Sequence, residues 1–151
     1  MALVEKSVLI EHSAEQMFDL VDHIEAYPQF LPWCSKAVLL CRDDTKTVAT
    51  LHIAYLGVKS SFTTENAKTR PLSMNIKLLE GPFRRLEGFW HFKPLHENAC
   101  KVEFRLSYEF SSKVFEKVIG PVFNQIARTF IESFVRRAAS IRTPEQQPTQ
   151  P

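Results

Sequence analysis

Glycine is scarce in this chain: four residues in 151, at positions 57, 81, 88 and 120. Spread so thinly, they exclude a glycine-rich phosphate loop, and no nucleophile elbow is present. Cysteine is equally sparse. Cys34, Cys41 and Cys100 show neither metal-ligand nor redox spacing, and an odd count with no export signal points to reduced thiols in a cytosol. Glu5 and Lys6 fall where an export signal would need its apolar run. Long hydrophobic runs are missing too, since no stretch approaches the ~20 apolar residues of a membrane span. Charge of one sign is also lacking. The formal net charge of +2 is too small to indicate nucleic acid, and no DNA partner is expected. These absences predict a soluble, cytoplasmic protein.

What the chain has in quantity is phenylalanine, twelve residues against three Tyr and two Trp. Phenylalanine brings apolar area without a polar handle, which suits a core or an apolar cavity. The densest aromatic stretch is Tyr27-Pro-Gln-Phe-Leu-Pro-Trp-Cys34. Each proline fixes φ, lacks a donor and pushes the preceding residue toward extended geometry. The stretch reads as a stiff apolar connection unsuited to a helix interior or a central strand. Loops are usually polar and lie on the surface, so this one must pack against the core, a greasy ligand or a partner.

A chain of 151 residues suggests one domain. Residues 3–11 read as a strand. Ser13 with Gln16 three positions on is a capping-box pattern, and Met17, Phe18, Leu20 and Val21 give the following helix an apolar stripe. A second short turn at residues 23–26 leads into the proline stretch. From 35 to 110 the pattern has period two, cleanest where Val102, Phe104, Leu106, Tyr108 and Phe110 alternate with polar residues. Such alternation buries one face of an antiparallel sheet. Turns are expected at residues 56–58 and 68–72. Phe115, Val118, Ile119, Val122, Phe123, Ile126, Phe130, Phe134 and Ala138 recur at helical spacing. Gly120-Pro121 is expected to break or kink that helix, with Pro121 in the first turn of a second segment running to residue 141. The last nine residues, 143–151, are polar and proline-rich and predict a disordered tail after a domain of residues 1–142.

A sheet with one buried face needs a cover, and the C-terminal helix alone is long enough. The expected fold is α+β: a curved antiparallel sheet of about six to seven strands wrapped around a long C-terminal helix, with two short helices after strand 1. A concave apolar space between sheet and helix is a common place for a ligand.

Chemistry is thin. His91, His96 and Cys100 match no common metal spacing, and no residue stands out as a catalytic acid or base. The protein is therefore expected not to be an enzyme. In Gly81-Pro82-Phe83-Arg84-Arg85-Leu86-Glu87-Gly88-Phe89-Trp90-His91-Phe92, a sharp turn leads into a strand that places Leu86, Gly88, Trp90 and Phe92 on one face. A glycine among such neighbours marks a bulge or a close backbone approach. Trp90 and Phe92 are either core or cavity wall. Lys113, Lys117, Arg128, Arg136, Arg137 and Arg142 give the last helix a basic cast. The helix dipole accounts for cations near its C-terminal end, and a phosphate-bearing partner is the alternative.

Three stretches together carry a resemblance: Tyr27-Pro-x-Phe-Leu-Pro-Trp-Cys34, Gly81-Pro82-Phe83 leading to Trp90-x-Phe92, and Gly120-Pro121-Val122-Phe123. The sequence resembles the coenzyme-Q-binding protein and ribosome association toxin RatA family, of the START-like polyketide cyclase/dehydrase superfamily, over residues 1 to about 141. The resemblance implies a helix-grip fold and a tunnel that accepts ubiquinone or a similar isoprenoid lipid, with no cofactor required. It also implies, for the toxin members, binding to the large ribosomal subunit that blocks subunit association. On that basis Phe62, Trp90 and Phe92 on the sheet and Phe123, Ala127 and Phe130 on the helix are the expected ligand contacts. Tyr27, Phe30, Leu31 and Trp33 are the expected mouth or lid. Arg84, Arg85, Arg128, Arg136 and Arg137 are the candidate ribosome or RNA contacts. A carrier of quinone would touch a membrane surface transiently to exchange its ligand. A cyclase or dehydratase activity rests on superfamily analogy alone.

Overall fold

The computed structural model describes residues 2–140. Strand β1, Ala2–Ile10, is followed by helix α1, Ala14–Asp22, and a 3-10 helical segment, Ile24–Gln29. Six strands then follow: β2 Cys34–Arg42, β3 Lys46–Tyr55, β4 Val58–Thr69, β5 Ser73–Glu80, β6 Phe83–His96 and β7 Ala99–Phe110. Helix α2, Lys113–Ser140, ends the described chain. The expected tail, and Arg142 before it, lie outside the described residues.

All seven strands form one antiparallel sheet in the order β1-β7-β6-β5-β4-β3-β2. Chain neighbours pair along the meander, and β1 closes against β7, with Ala2 opposite Tyr108 and Ile10 opposite Cys100. The connection from β3 to β4 is the two-residue hairpin Leu56-Gly57, with φ of +50° and +82°. A right-twisted hairpin needs positive φ at both central positions, which glycine supplies without strain.

Helix α1 begins as its capping box predicts. Ser13 Oγ accepts from the Gln16 amide at 3.1 Å, and Gln16 Oε1 accepts from the Ser13 amide at 2.8 Å. Met17, Phe18, Leu20 and Val21 of its apolar stripe are buried. The proline stretch is more regular at its start than its sequence suggests. Pro28 sits inside the 3-10 segment, and such a segment is short enough to accommodate a residue that gives no amide hydrogen.

The break expected at Gly120-Pro121 does not occur. Helix α2 is one element of 28 residues with Pro121 inside it, about 42 Å long at 1.5 Å per residue. It starts at the Ser112 cap, whose hydroxyl accepts from the Phe115 amide at 3.1 Å. Pro121 and Lys117 are exposed, so water can take the hydrogen bond that the proline cannot supply to the Lys117 carbonyl. Burial of Ile119, Val122 and Phe123 on the opposite side offsets the interior-proline cost of about 3 kcal/mol.

Gly88 marks a close approach of strands, as the sequence suggests. It pairs with Leu106 on β7, and a Cβ at this position would lie 2.0 Å from the Arg105 carbonyl oxygen.

Candidate functional site

Helix α2 presents Phe123, Ala127, Phe130 and Phe134 to the concave face of the sheet, at the three-to-four spacing that places side chains on one stripe. Phe123 contacts Phe62, Phe83 and Tyr108 at ring distances of 5.9, 4.8 and 4.8 Å. Two turns on, Phe130 meets Trp90, Phe104 and Trp33 at 5.7, 5.5 and 6.1 Å. Between these two aromatic clusters lies an apolar cavity. Ala49 and Leu51 on β3, Phe62, Thr64 and Asn66 on β4, Ile76 on β5, Leu86 and Trp90 on β6, and Phe104 and Leu106 on β7 form its sheet side. Ile24, Tyr27 and Trp33 also line it.

The space left among these side chains is about 70 Å³, against roughly 300–1,000 Å³ for pockets that hold a whole small molecule. The tunnel is therefore largely occupied by its own aromatic rings. A ring-sized ligand enters only where some of these side chains turn aside.

Seven of the ten expected ligand contacts line this cavity: Tyr27, Trp33, Phe62, Trp90, Phe123, Ala127 and Phe130. Phe30, Leu31 and Phe92 lie outside the lining. Phe92 points to the end of the sheet that α1 covers, with Phe18 at 5.9 Å. Leu31 is core beneath the rim. Phe30 packs on Phe134 at 5.1 Å, and the Arg137 guanidinium lies 5.2 Å from its ring centre. Ile24, Leu51, Thr64, Asn66 and Ile126 line the cavity although the sequence did not single them out. Thr64 and Asn66 were reachable, since they follow Phe62 at period two on the same face of β4.

The rim is tied down rather than loose. The Tyr27 hydroxyl donates to the Val21 carbonyl, and burial pushes its phenol above the ordinary range. The Ala54 amide donates to the Trp33 carbonyl at 2.9 Å. Arg137 Nη2 donates to Gln29 Oε1 at 2.7 Å. Cys34 is buried at the end of this stretch, and burial pushes its thiol up to about 11, so it is protonated at neutral pH.

Behind the rim, Arg42 Nη1 and Nη2 reach Glu25 at 2.8 and 2.7 Å, and Nη2 also meets the Asp22 carbonyl at 2.7 Å. The Arg42 hydrogen bonds hold Glu25 down to about 2, from an ordinary 4.5. A lowered carboxylate pKa adds stability above about pH 4.5 that is lost as the pH falls toward 2. Because Glu25 is 41% exposed, screening limits the contribution to about 1 kcal/mol or less. Arg42→Ala is expected to lower unfolding stability by about that amount at pH 7. Its deficit should shrink below pH 4, and urea unfolding of parent and variant across pH 3–7 reads both.

The five basic candidates do not form one patch. Arg84 pairs with Glu109 at 3.3 Å, where both are exposed, and Arg85 is exposed beside it. Arg128 and Arg136 are exposed on the outer face of α2, with Glu132 between them. Arg137 is engaged at the rim. Among the described residues, no group of three or more His, Cys, Asp or Glu side chains is placed to hold a metal ion. Among them, too, no helix is long and apolar enough to cross a membrane.

Residues 10–135 match the family described as polyketide cyclase/dehydrase and lipid transport. The chain is 43% identical over 141 residues to a Vibrio cholerae protein named ribosome association toxin RatA, covering 93% of this chain and 98% of that one. It is 25% identical over 140 residues to a Xenopus laevis protein named coenzyme Q-binding protein COQ10 homolog B, covering 90% of this chain and 57% of that one. Its fold superposes on a START superfamily protein from Mycobacterium smegmatis with a TM-score of 0.73 at 20% identity, covering 93% of this chain and 99% of that one. A START-like sheet gripping a long helix, and identity over nearly the full length of the toxin relative, place this chain in the polyketide cyclase/dehydrase and lipid transport family, alongside the ribosome association toxins.

Proposed function

We propose that this protein, like its relatives named ribosome association toxins, acts on ribosomes, and that it does so by binding the large subunit and opposing subunit association. The observation that carries this reading is the 43% identity to the Vibrio cholerae protein across 98% of that protein's length. Identity of that extent weighs more than the distant coenzyme-Q-binding relative, and it places the ribosomal reading ahead of the quinone-carrier reading. Arg85, Arg128 and Arg136 are exposed and available to phosphates, Arg84 is exposed but paired with Glu109, and Arg137 is committed to the rim. In sucrose-gradient sedimentation, purified protein added to dissociated subunits is expected to travel with the large subunit at low salt. It should also reduce the fraction of joined ribosomes and dissociate as salt rises, because phosphate contacts release counterions. Protein that stays at the top of the gradient at low salt overturns the reading.

The cavity supports a second reading, in which the protein holds a hydrophobic ligand of the polyprenyl quinone class, ubiquinone or a similar isoprenoid lipid. The apolar lining and the family's lipid-transport description favour it. Burying an isoprenoid chain is worth about 0.8 kcal/mol per methylene, so little polar chemistry is needed to hold one. This role is not enzymatic and requires no cofactor. Exchange of such a ligand takes place by transient contact with a membrane surface.

A further inference from the structure

The concave face of β4 changes character along its length. Its inward positions run Phe62, Thr64, Asn66 and Lys68. Phe62 packs into the aromatic cluster around Phe123. At the other end, Lys68 Nζ is bound to Asp22 Oδ2 at 3.1 Å, and the same carboxylate accepts from Thr47 Oγ1 at 2.7 Å. Lys68 is thus partnered by protein. Asn66 differs. It is 7% exposed, it lines the apolar cavity, and its Oδ1 is buried with no hydrogen-bond partner among the described residues.

A buried carbonyl oxygen without a donor is costly, and native interiors satisfy nearly all such groups. The neighbours of Asn66 in the sheet, Thr47 on β3 and Ile76 on β5, leave this oxygen unmatched. A leucine at the same place would fill an apolar wall with nothing left over. An amide facing a cavity is explained when the cavity's occupant supplies the missing donor.

Resting on the hydrophobic-ligand reading, we infer that Asn66 is the polar anchor of the cavity. Its Oδ1 accepts a hydrogen bond from a hydroxyl carried by an otherwise apolar ligand, of the phenol or hydroquinone type. The apolar body of that ligand then points toward Phe62 and Phe123, and its hydroxyl lies at the Asn66 end. Thr64, two residues away on the same face, supplies a second hydroxyl near the same end.

Two probes of nearly equal size separate the anchor from the cavity: 4-butylphenol and butylbenzene, titrated by tryptophan fluorescence and calorimetry. The parent protein is expected to bind the phenol about tenfold more tightly, the ratio that one net hydrogen bond supplies. Asn66→Leu should bring the ratio near one while butylbenzene still binds. Asn66→Ser, which keeps an acceptor, should retain much of the preference. Without ligand, Asn66→Leu should also raise Tm by about 2–4 °C, since an unsatisfied buried group has been removed. Equal binding of the two probes by the parent overturns the anchor and leaves the cavity reading standing, as does a preference that survives in Asn66→Leu. A fall in Tm for Asn66→Leu makes the amide a structural group and also overturns the anchor. Binding of neither probe by the parent overturns the cavity reading itself.

Discussion

Replacing Gly88 with alanine is expected to destabilise the protein by about 3 kcal/mol or more, at the upper end of what overpacking does. The added methyl would sit 2.0 Å from the Arg105 carbonyl oxygen and 3.0 Å from both the Arg105 carbonyl carbon and Leu106 Cα. All three are backbone atoms, so no side chain can rotate away to make room. The clash must be relieved by parting β6 from β7. Those two strands pair from Phe83 opposite Phe110 to His96 opposite Ala99, and they carry Trp90 and Phe104 into the cavity wall. A shift at Gly88 would therefore move the site as well as weaken the sheet. Thermal unfolding is expected to show Tm lowered by roughly 10 °C. A Tm within about 2 °C of the parent would mean that the strands separate at little cost. Gly57 provides the contrast. A Cβ there meets nothing within 4 Å, so Gly57→Ala carries only the strain of positive φ, about 1 kcal/mol.

Trp90→Ala should cost about 3–5 kcal/mol, the range for a large aromatic removed from a core. Trp90 is 2% exposed and touches Phe92, Phe104, Phe130 and Phe134, so its loss leaves a void that four neighbouring rings fill only in part. The void adjoins the existing space of about 70 Å³. A cavity walled mainly by aromatic and aliphatic side chains takes up small apolar molecules. The variant is therefore expected to unfold at lower urea than the parent, and saturating butylbenzene should restore part of the loss by mass action. Urea unfolding with and without the probe measures both effects. Recovery no larger than the parent's own would show that the neighbouring rings had closed the space.

Much of the architecture was legible because it rests on local rules. The capping box at Ser13 and Gln16, the strict alternation of residues 102–110 and the Leu56-Gly57 turn each have one reading at short range, and each appears where expected. No break occurs at Pro121: local propensity sees the missing amide hydrogen and not the sheet that buries Ile119, Val122 and Phe123. For the site, the large aromatics identified themselves by size and spacing. Phe92, Phe30 and Leu31 were named with them yet lie outside the lining, because a face of a strand and an apolar loop run on past the cavity into ordinary core. Asn66 was overlooked for a different reason. A polar residue in an alternating strand looks solvent-facing, and only the register with Phe62 turns it inward. Arg137 read as a cation favoured by the helix dipole or as a ribosome contact, yet the fold brings Gln29 and Phe30 to it from more than a hundred positions away along the chain.

The pairing of β1 with β7 carries a consequence for synthesis. Residues 2–10 leave the ribosome without their partner, which arrives only with residues 100–108. Helix α2, which covers the concave face, comes later still. For most of its synthesis the growing chain therefore holds an unpaired edge and a bare aromatic face, the features that invite misassembly when exposed. Closure of the sheet and burial of the cavity wall both wait for the last elements of the fold. A chain halted before Phe123 and Phe130 have emerged would display the cavity's aromatic lining as an open sticky surface.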